Sequence, residues 1–162
     1  MSSSSNREIL SALRPEGRTV IITIGNSLRA DDGVGPFIGG QVPDRDGLLV
    51  LDALMNPENI VEDAIAYQPE KMIVIDAADF GGAPGEIRVI PLDQLQHYTV
   101  LSTHHFPVHV CLGIIREETG ADLTILGIQP ASVEFGEAMS EEVRETARTV
   151  IDYLNNPPLH VP

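Results

Sequence analysis

The stretch at residues 19–35, TVIITIGNSLRADDGVG, constrains the fold of this chain more than any other. It begins with an almost continuous apolar run at residues 19–24, which is typical of a strand buried on both faces. A turn of small residues and two adjacent acids, Asp31 and Asp32, follow, and glycines and a proline then indicate the start of a helix. This order is typical of an open α/β sheet, in which ligands bind at the carboxyl ends of the strands.

Four further apolar runs predict strands, and segments long enough for a helix separate most of them. The run at residues 86–90 is the exception, because its connection from Asp76 is too short for the usual parallel crossover. We therefore predict that this strand is antiparallel and lies at an edge. The predicted fold is a single α/β domain with a twisted, mostly parallel five-stranded sheet sandwiched between helices. The other three strands are predicted at residues 48–51, 72–75 and 123–128.

The chain of 162 residues is long enough for one domain with a full core. Residues 1–17 are predicted to form an N-terminal extension that is partly disordered or a short helix, at about residues 6–14. Residues 18–156 form the α/β domain, and residues 157–162 form a loose tail. Further helices are predicted at residues 33–42, 56–66 (with Asn56 as N-cap), 92–97, 107–118 and 140–154 (with Ser140 as N-cap).

The charge balance excludes one large class of function. Ten basic residues against 24 acidic ones give a formal net charge of −14, whereas nucleic-acid binding needs clustered cations. No apolar run approaches the roughly 20 residues that a membrane helix needs, and the start of the chain does not resemble a secretory signal. We therefore expect a cytoplasmic protein that binds neither nucleic acid nor membranes. The single cysteine, Cys111, fits a reducing compartment and is expected to be a small buried hydrophobe.

Acidic residues recur at one place in the predicted sheet. Asp32 follows the first strand, Asp52 ends the second and Asp76 ends the third, so parallel strands would place all three along one edge. The segment STHHFP adds His104 and His105 directly before a helix that is predicted to pack on the same sheet. Two carboxylates and an imidazole suit a divalent cation such as Zn²⁺ or Ni²⁺, and three protein ligands leave a coordination position open for a substrate.

These residues also have purely structural interpretations. Asp32 could cap the helix that follows it, and Asp52 and Asp76 could hydrogen-bond to loops, as acids at strand ends often do. His105 and His109 are four residues apart and could bind a metal together, although one surface histidine and one packing histidine are the commoner arrangement. Residues expected to be solvated or merely capping are Asp31, His97 and His160.

Motifs for nucleophilic catalysis and nucleotide binding are missing from the sequence. There is no G-x-S-x-G elbow. The turn after the first strand, GNSLRA, matches neither G-x-G-x-x-G nor a Walker loop. The chain therefore offers neither a built-in nucleophile of that type nor a glycine-rich phosphate cradle.

Four segments, taken together and in order, resemble the hydrogenase maturation endopeptidases. They are IGNSLRADDGVGP, VIDAADFGGAPGEIRVI, STHHFP and ILGIQP, and the resemblance covers about residues 18–155. It points to the branch that processes the large subunit of formate-hydrogenlyase-type and related energy-converting NiFe hydrogenases. It implies a metal-dependent endopeptidase, aspartic-type by some classifications, which removes a C-terminal peptide from the large-subunit precursor after nickel insertion.

The resemblance also implies which residues form the site. Matched by motif, the metal ligands are Asp32, Asp76 and His104, with His105 as the alternative to His104. The metal would be nickel supplied by the precursor, and zinc or cadmium could occupy the site in the isolated protein. Asp32 or Asp76 could instead act as a general base, an alternative that the sequence leaves open. Four residues in the matching motifs are candidate substrate contacts: Gly25, Asn26, Asp52 and Gln129.

Two other functions are compatible with the same residues. The first is an independent zinc-dependent hydrolase that uses the same three ligands. The second is a nickel-binding or docking module without catalysis. The second is open because this chain has Ala53-Leu54 after Asp52, where the family commonly has glycine and another small residue.

Overall fold

The computed structural model describes residues 3–98, 100 and 107–159. Its strands are β1 (Thr19–Ile24), β2 (Leu48–Leu54), β3 (Lys71–Ala77), β4 (Ile87–Val89) and β5 (Asp122–Ile128). Its α-helices are α1 (Ser3–Ala12), α2 (Val34–Gly39), α3 (Val61–Tyr67), α4 (Leu95–Tyr98), α5 (Val108–Thr119) and α6 (Glu141–Asn155). Short 3-10 helices precede three of them, at Ala30–Gly33, Pro57–Ile60 and Leu92–Gln94.

The five strands form one sheet in the order β2-β1-β3-β5-β4. The first four in this order are parallel to one another, whereas β4 runs antiparallel to β5 at the edge. The segment from β3 to β4 contains no helix that could carry the chain back across the sheet. The predicted α/β fold, with one antiparallel edge strand, is confirmed.

Two apolar layers cover the two faces of the sheet. One layer packs Leu13 and side chains of α2 and α6 against the sheet, and the other packs side chains of α3, α4 and α5. All residues of β1 are buried, and Ile21 faces the first layer while Val20 and Ile22 face the second. Burial on both faces explains the nearly continuous apolar run of this strand.

Two strands extend further than the sequence indicated. The ends were predicted at Leu51 and Ile75, but β2 runs on to Leu54 and β3 to Ala77. A shift of register in the pairing of β1 with β2 lets the ladder continue past Asp52, and Asp76 pairs with a residue of β5. Both acids therefore lie within the last three residues of their strands.

Most predicted helix ends are confirmed. The Ser140 side chain accepts a hydrogen bond from the Val143 N–H at 3.4 Å and caps α6. Gly120 adopts a left-handed conformation, with φ of 70°, and ends α5. Asn56, by contrast, precedes the 3-10 helix at Pro57–Ile60, and its side chain makes no capping hydrogen bond there. Within the described ranges, no helix has the length and apolar character to cross a membrane.

Candidate active site

The turn after β1 is shaped around Asp32. Gly25 has φ of 151°, and a Cβ there would lie 2.0 Å from the backbone oxygen of Asp32, so only glycine fits. The Gly25 N–H donates to the Leu54 carbonyl at 2.9 Å, which ties the turn to the end of β2. The Asn26 N–H donates to Oδ2 of Asp32 at 2.9 Å. Gly25 and Asn26, predicted as substrate contacts, thus hold a predicted metal ligand in place.

The start of α2 sits directly on the carboxyl ends of two central strands. A Cβ on Gly35 would lie 2.4 Å from the Ile24 carbonyl and 2.9 Å from the Ile75 carbonyl, so the helix backbone makes van der Waals contact with both strand ends. This close approach carries the preceding 3-10 helix, with Asp32, to the end of β3. Asp76 occupies that end.

Asp32 and Asp76 form a buried carboxylate pair. The two residues are 5% and 8% exposed. Burial raises the pKa of Asp76 well above its usual range, and the nearby negative charge of Asp32 raises it further, while the Ala77 N–H opposes both effects. Two carboxylates so placed hold a proton or bind a cation, because keeping both of them charged side by side costs free energy.

The predicted third ligand cannot be placed beside this pair. His104 and its alternative His105 lie outside the described residues, so both assignments stay predictions, as does a pair of His105 with the half-buried His109. In the ranges that the structure describes, no three residues among histidine, cysteine, aspartate and glutamate form a group that could hold a metal ion. The structure thus brings together two of the three predicted ligands.

Asp52 lies at the same edge of the sheet but does not complete a three-residue group with the pair. Its side chain is exposed, and Oδ1 accepts hydrogen bonds from the Thr23 hydroxyl at 3.2 Å and from the Leu54 N–H at 3.0 Å. These contacts hold the last residues of β2 against β1. A substrate contact by Asp52 stays a prediction.

Gln129 has structural contacts that the sequence did not predict. It is buried, and its Oε1 accepts hydrogen bonds from the Phe80 N–H at 2.9 Å and the Gly82 N–H at 3.1 Å. Its Nε2 donates to Oδ1 of Asp79 at 3.1 Å, and this bond is the main cause of the lowered pKa of Asp79. Gln129 therefore organises the loop that follows Asp76, while its contact with substrate stays a prediction.

Asp31 corrects an expectation. It was predicted to be solvated or to cap the next helix, but it is completely buried. Its Oδ2 accepts from the Ala131 N–H and the Ser140 hydroxyl, both at 2.8 Å, and from the Ser132 N–H at 3.4 Å, while Oδ1 accepts from the Ser140 N–H at 2.7 Å. We call this arrangement the Asp31 clamp. It fastens the loop between β5 and α6 to the 3-10 helix that carries Asp32.

Comparison with known proteins identifies the family. A family model described as HycI, hydrogenase maturation protease, matches residues 40–156, which is more than half of the chain. The chain belongs to the hydrogenase maturation protease family. The resemblance inferred from the four sequence segments is thereby confirmed, and with it the assignment as an endopeptidase of this type.

Relatives of this maturation protease occur in bacteria and archaea. The hydrogenase 3 maturation protease of Escherichia coli K12 is 31% identical over 137 residues, which cover 83% of this chain and 87% of the relative. A putative hydrogenase maturation protease of Methanocaldococcus jannaschii is 27% identical over 156 residues, covering 90% and 91% of the two chains.

Solved structures of related maturation proteases share the fold. A crystal structure of HycI from Thermococcus kodakarensis has a TM-score of 0.79 and 30% identity, and the match covers 91% of this chain and 96% of that one. A solution structure of the endopeptidase HycI from Escherichia coli has a TM-score of 0.75 and 30% identity, with 85% and 88% covered.

Proposed function

We propose that this maturation protease removes the C-terminal extension of a NiFe-hydrogenase large-subunit precursor, in the cytoplasm and only after nickel has been inserted. The bound nickel is the recognition element. One observation carries the proposal: a chain of this family places two nearly buried carboxylates, Asp32 and Asp76, at the edge of its sheet where parallel strands end, near enough for the charge of Asp32 to raise the pKa of Asp76.

The chemistry of the pair supports a cation as its ligand. Burial and, second, the negative charge of Asp32 raise the pKa of Asp76, so a divalent cation would replace its proton and relieve the repulsion from Asp32. Carboxylate and imidazole donors suit nickel, and His104 is the proposed third ligand with His105 as its alternative. In this proposal the cation belongs to the substrate, so the site responds to whether the precursor has received its metal. Zinc or cadmium would bind to the same residues in the isolated protein.

The first role of the two carboxylates would be to position the substrate. By binding the metal end of the precursor, Asp32 and Asp76 would hold one peptide bond beside the site, and such positioning lowers a barrier without a nucleophile from the protein. A cation at this place supplies polarisation of a carbonyl or a water molecule. Alternatively, one carboxylate takes a proton from water, a role that suits Asp76 because burial makes it a stronger base than an exposed aspartate.

The proposal is tested by the intact mass of a precursor after incubation with the protease. The nickel-loaded precursor should lose a C-terminal peptide, whereas a nickel-free control should keep its full mass. Cleavage of both forms would instead favour a hydrolase that does not depend on nickel. No cleavage of either form would contradict the proposed activity and favour a binding module.

A further inference from the structure

A groove opens beside the carboxylate pair, on the side of α2 and α6. It encloses a volume of about 490 Å³, and Ala30 and Gly33, on either side of Asp32 in the 3-10 helix, form part of its wall. Ligand sites in proteins commonly enclose about 300–1,000 Å³. We call it the Arg144 groove; its other principal lining residues are Phe37, Asp52, Glu137, Met139 and Arg144.

Arg144 places a positive charge in this groove, although the chain as a whole is strongly acidic. The Arg144 side chain is half-buried, and its guanidinium carbon lies 5.5 Å from the ring centre of Phe37. In the part of the chain that the structure describes, this guanidinium has neither an ion-pair partner nor a hydrogen-bond acceptor. Its planar fork of N–H donors is therefore available in the groove, in a chain whose net charge is −14.

The two acids of the groove are already engaged by the protein. Glu137 accepts a hydrogen bond from the Ser132 hydroxyl at 2.8 Å. Asp52 accepts from Thr23 and Leu54, as described above. Each of these acids is engaged through one of its oxygens, whereas within the described residues the guanidinium of Arg144 has no polar partner. Its charge-assisted N–H donors favour a carboxylate as ligand.

Hydrogen bonds anchor both ends of the loop that forms one wall of the groove. The Asp31 clamp holds both Ala131 and Ser140, and the wall residues Glu137 and Met139 lie between these two anchors. A second link joins the same loop to the turn after β1, because the Gly136 N–H donates to the Leu28 carbonyl at 2.9 Å. Because these hydrogen bonds already restrain the loop, less conformational entropy is lost when a peptide binds in the groove.

We propose that the Arg144 groove binds an acidic side chain, aspartate or glutamate, of the precursor segment next to the cleaved bond. Arg144 donates two hydrogen bonds to that carboxylate, and Phe37 and Met139 pack against the stem of the same side chain. This inference rests on the proposed function, because it takes the precursor as the ligand. It adds a contact that depends on the peptide and not on the metal.

The first test compares two arginines of α6 in the processing of the nickel-loaded precursor. Arg144→Ala should raise KM about tenfold with little change of kcat, because a charge-assisted contact made equally in ground and transition state is lost. Arg144→Lys keeps the positive charge but loses the planar fork of N–H donors, so its KM should lie between those of wild type and Arg144→Ala. Arg148→Ala is the matched control: Arg148 is exposed and pairs with Glu141 at 3.3 Å on the helix surface. If both alanine variants behave alike, the groove is not a substrate site.

The second test locates the acidic partner. Each aspartate or glutamate within reach of the cleaved bond is changed to its amide in the precursor, and each variant is processed by wild type and by Arg144→Ala. One position should raise KM for wild type and have no further effect on Arg144→Ala. A lysine at that position should restore processing by Arg144→Glu. If no position is coupled to Arg144, the inference is wrong while the proposed function stands. Failure of the wild type to process any nickel-loaded precursor overturns both.

Discussion

Asp31 and Asp32 are neighbours in one 3-10 helix and both are buried, yet their surroundings differ completely. Asp31 accepts hydrogen bonds from three N–H groups and one hydroxyl, all from the loop before α6. Asp32 accepts from the Asn26 N–H but also faces the carboxylate of Asp76, whose pKa it raises. Burial alone therefore does not distinguish a structural acid from a candidate metal ligand, whereas the groups near each carboxylate do.

The largest effect is expected at two of the proposed metal ligands, Asp76 and His104. Asp76→Asn and His104→Ala should abolish processing of the nickel-loaded precursor, a loss of at least about a thousandfold, because each removes a ligand of the proposed cation site. Circular dichroism should show an unchanged fold for both variants. Full processing by either would show that the metal ligands are wrongly assigned, and His105→Ala would then be the next variant to measure.

The structural acid should affect stability instead. Asp31→Asn should lower the free energy of unfolding by about 2–4 kcal/mol, because the amide nitrogen would face N–H donors and leave buried groups unsatisfied. Urea titration gives this value. A change as small as that of a surface substitution would mean that the Asp31 clamp contributes little.

Asp76→Asn should stabilise the metal-free protein at neutral pH, in contrast to Asp31→Asn. The folded-state pKa of Asp76 is raised, so its contribution to stability is fully present below the unfolded pKa of about 3.9 and is lost as pH rises through the folded-state value. The amide removes this loss, so Asp76→Asn should melt at a higher temperature than wild type at pH 7. Melting curves of both proteins from pH 4 to pH 8 would show it, and parallel curves would argue against a raised pKa.

The smallest effect is expected at the other end of the clamp. Ser140→Ala removes an N-cap and one hydrogen bond to Asp31, and should cost about 1 kcal/mol. Combined with Asp31→Asn, its cost should be less than additive, because both changes break the same bond. Ser11→Ala in α1, where the hydroxyl donates a hydrogen bond to the Glu8 carbonyl, is the control and should be additive.

Much of the framework was predictable because hydrophobic periodicity and connection length determine it. The apolar runs predicted all five strands, and the short connection after Asp76 predicted the antiparallel edge strand. The approach of Asp32 to Asp76 followed from the rule that parallel strands end at one edge. The contact of Asp31 with Ser140 did not follow, because it joins positions 109 residues apart through a loop that has no periodic pattern.

The sequence also did not predict the directions in which these side chains point. Which acid of the adjacent pair turns toward β3 and which toward the loop depends on the 3-10 geometry, and no spacing rule distinguishes Asp31 from Asp32. The same holds for Gln129, whose motif indicated a substrate contact while its amide binds the loop after Asp76. The division of the chain at residues 17 and 156 stays a prediction.

Binding tests more directly than cleavage whether Asp32 and Asp76 recognise nickel carried by the substrate. Affinities of wild type and of Asp76→Asn for the nickel-loaded and the nickel-free precursor should be measured side by side, with cleavage prevented by low temperature and short contact times. Wild type should bind the nickel-loaded form at least about tenfold more tightly, a difference of about 1.4 kcal/mol, and Asp76→Asn should lose this preference. Equal binding of both forms by wild type would show that the two carboxylates do not recognise the nickel.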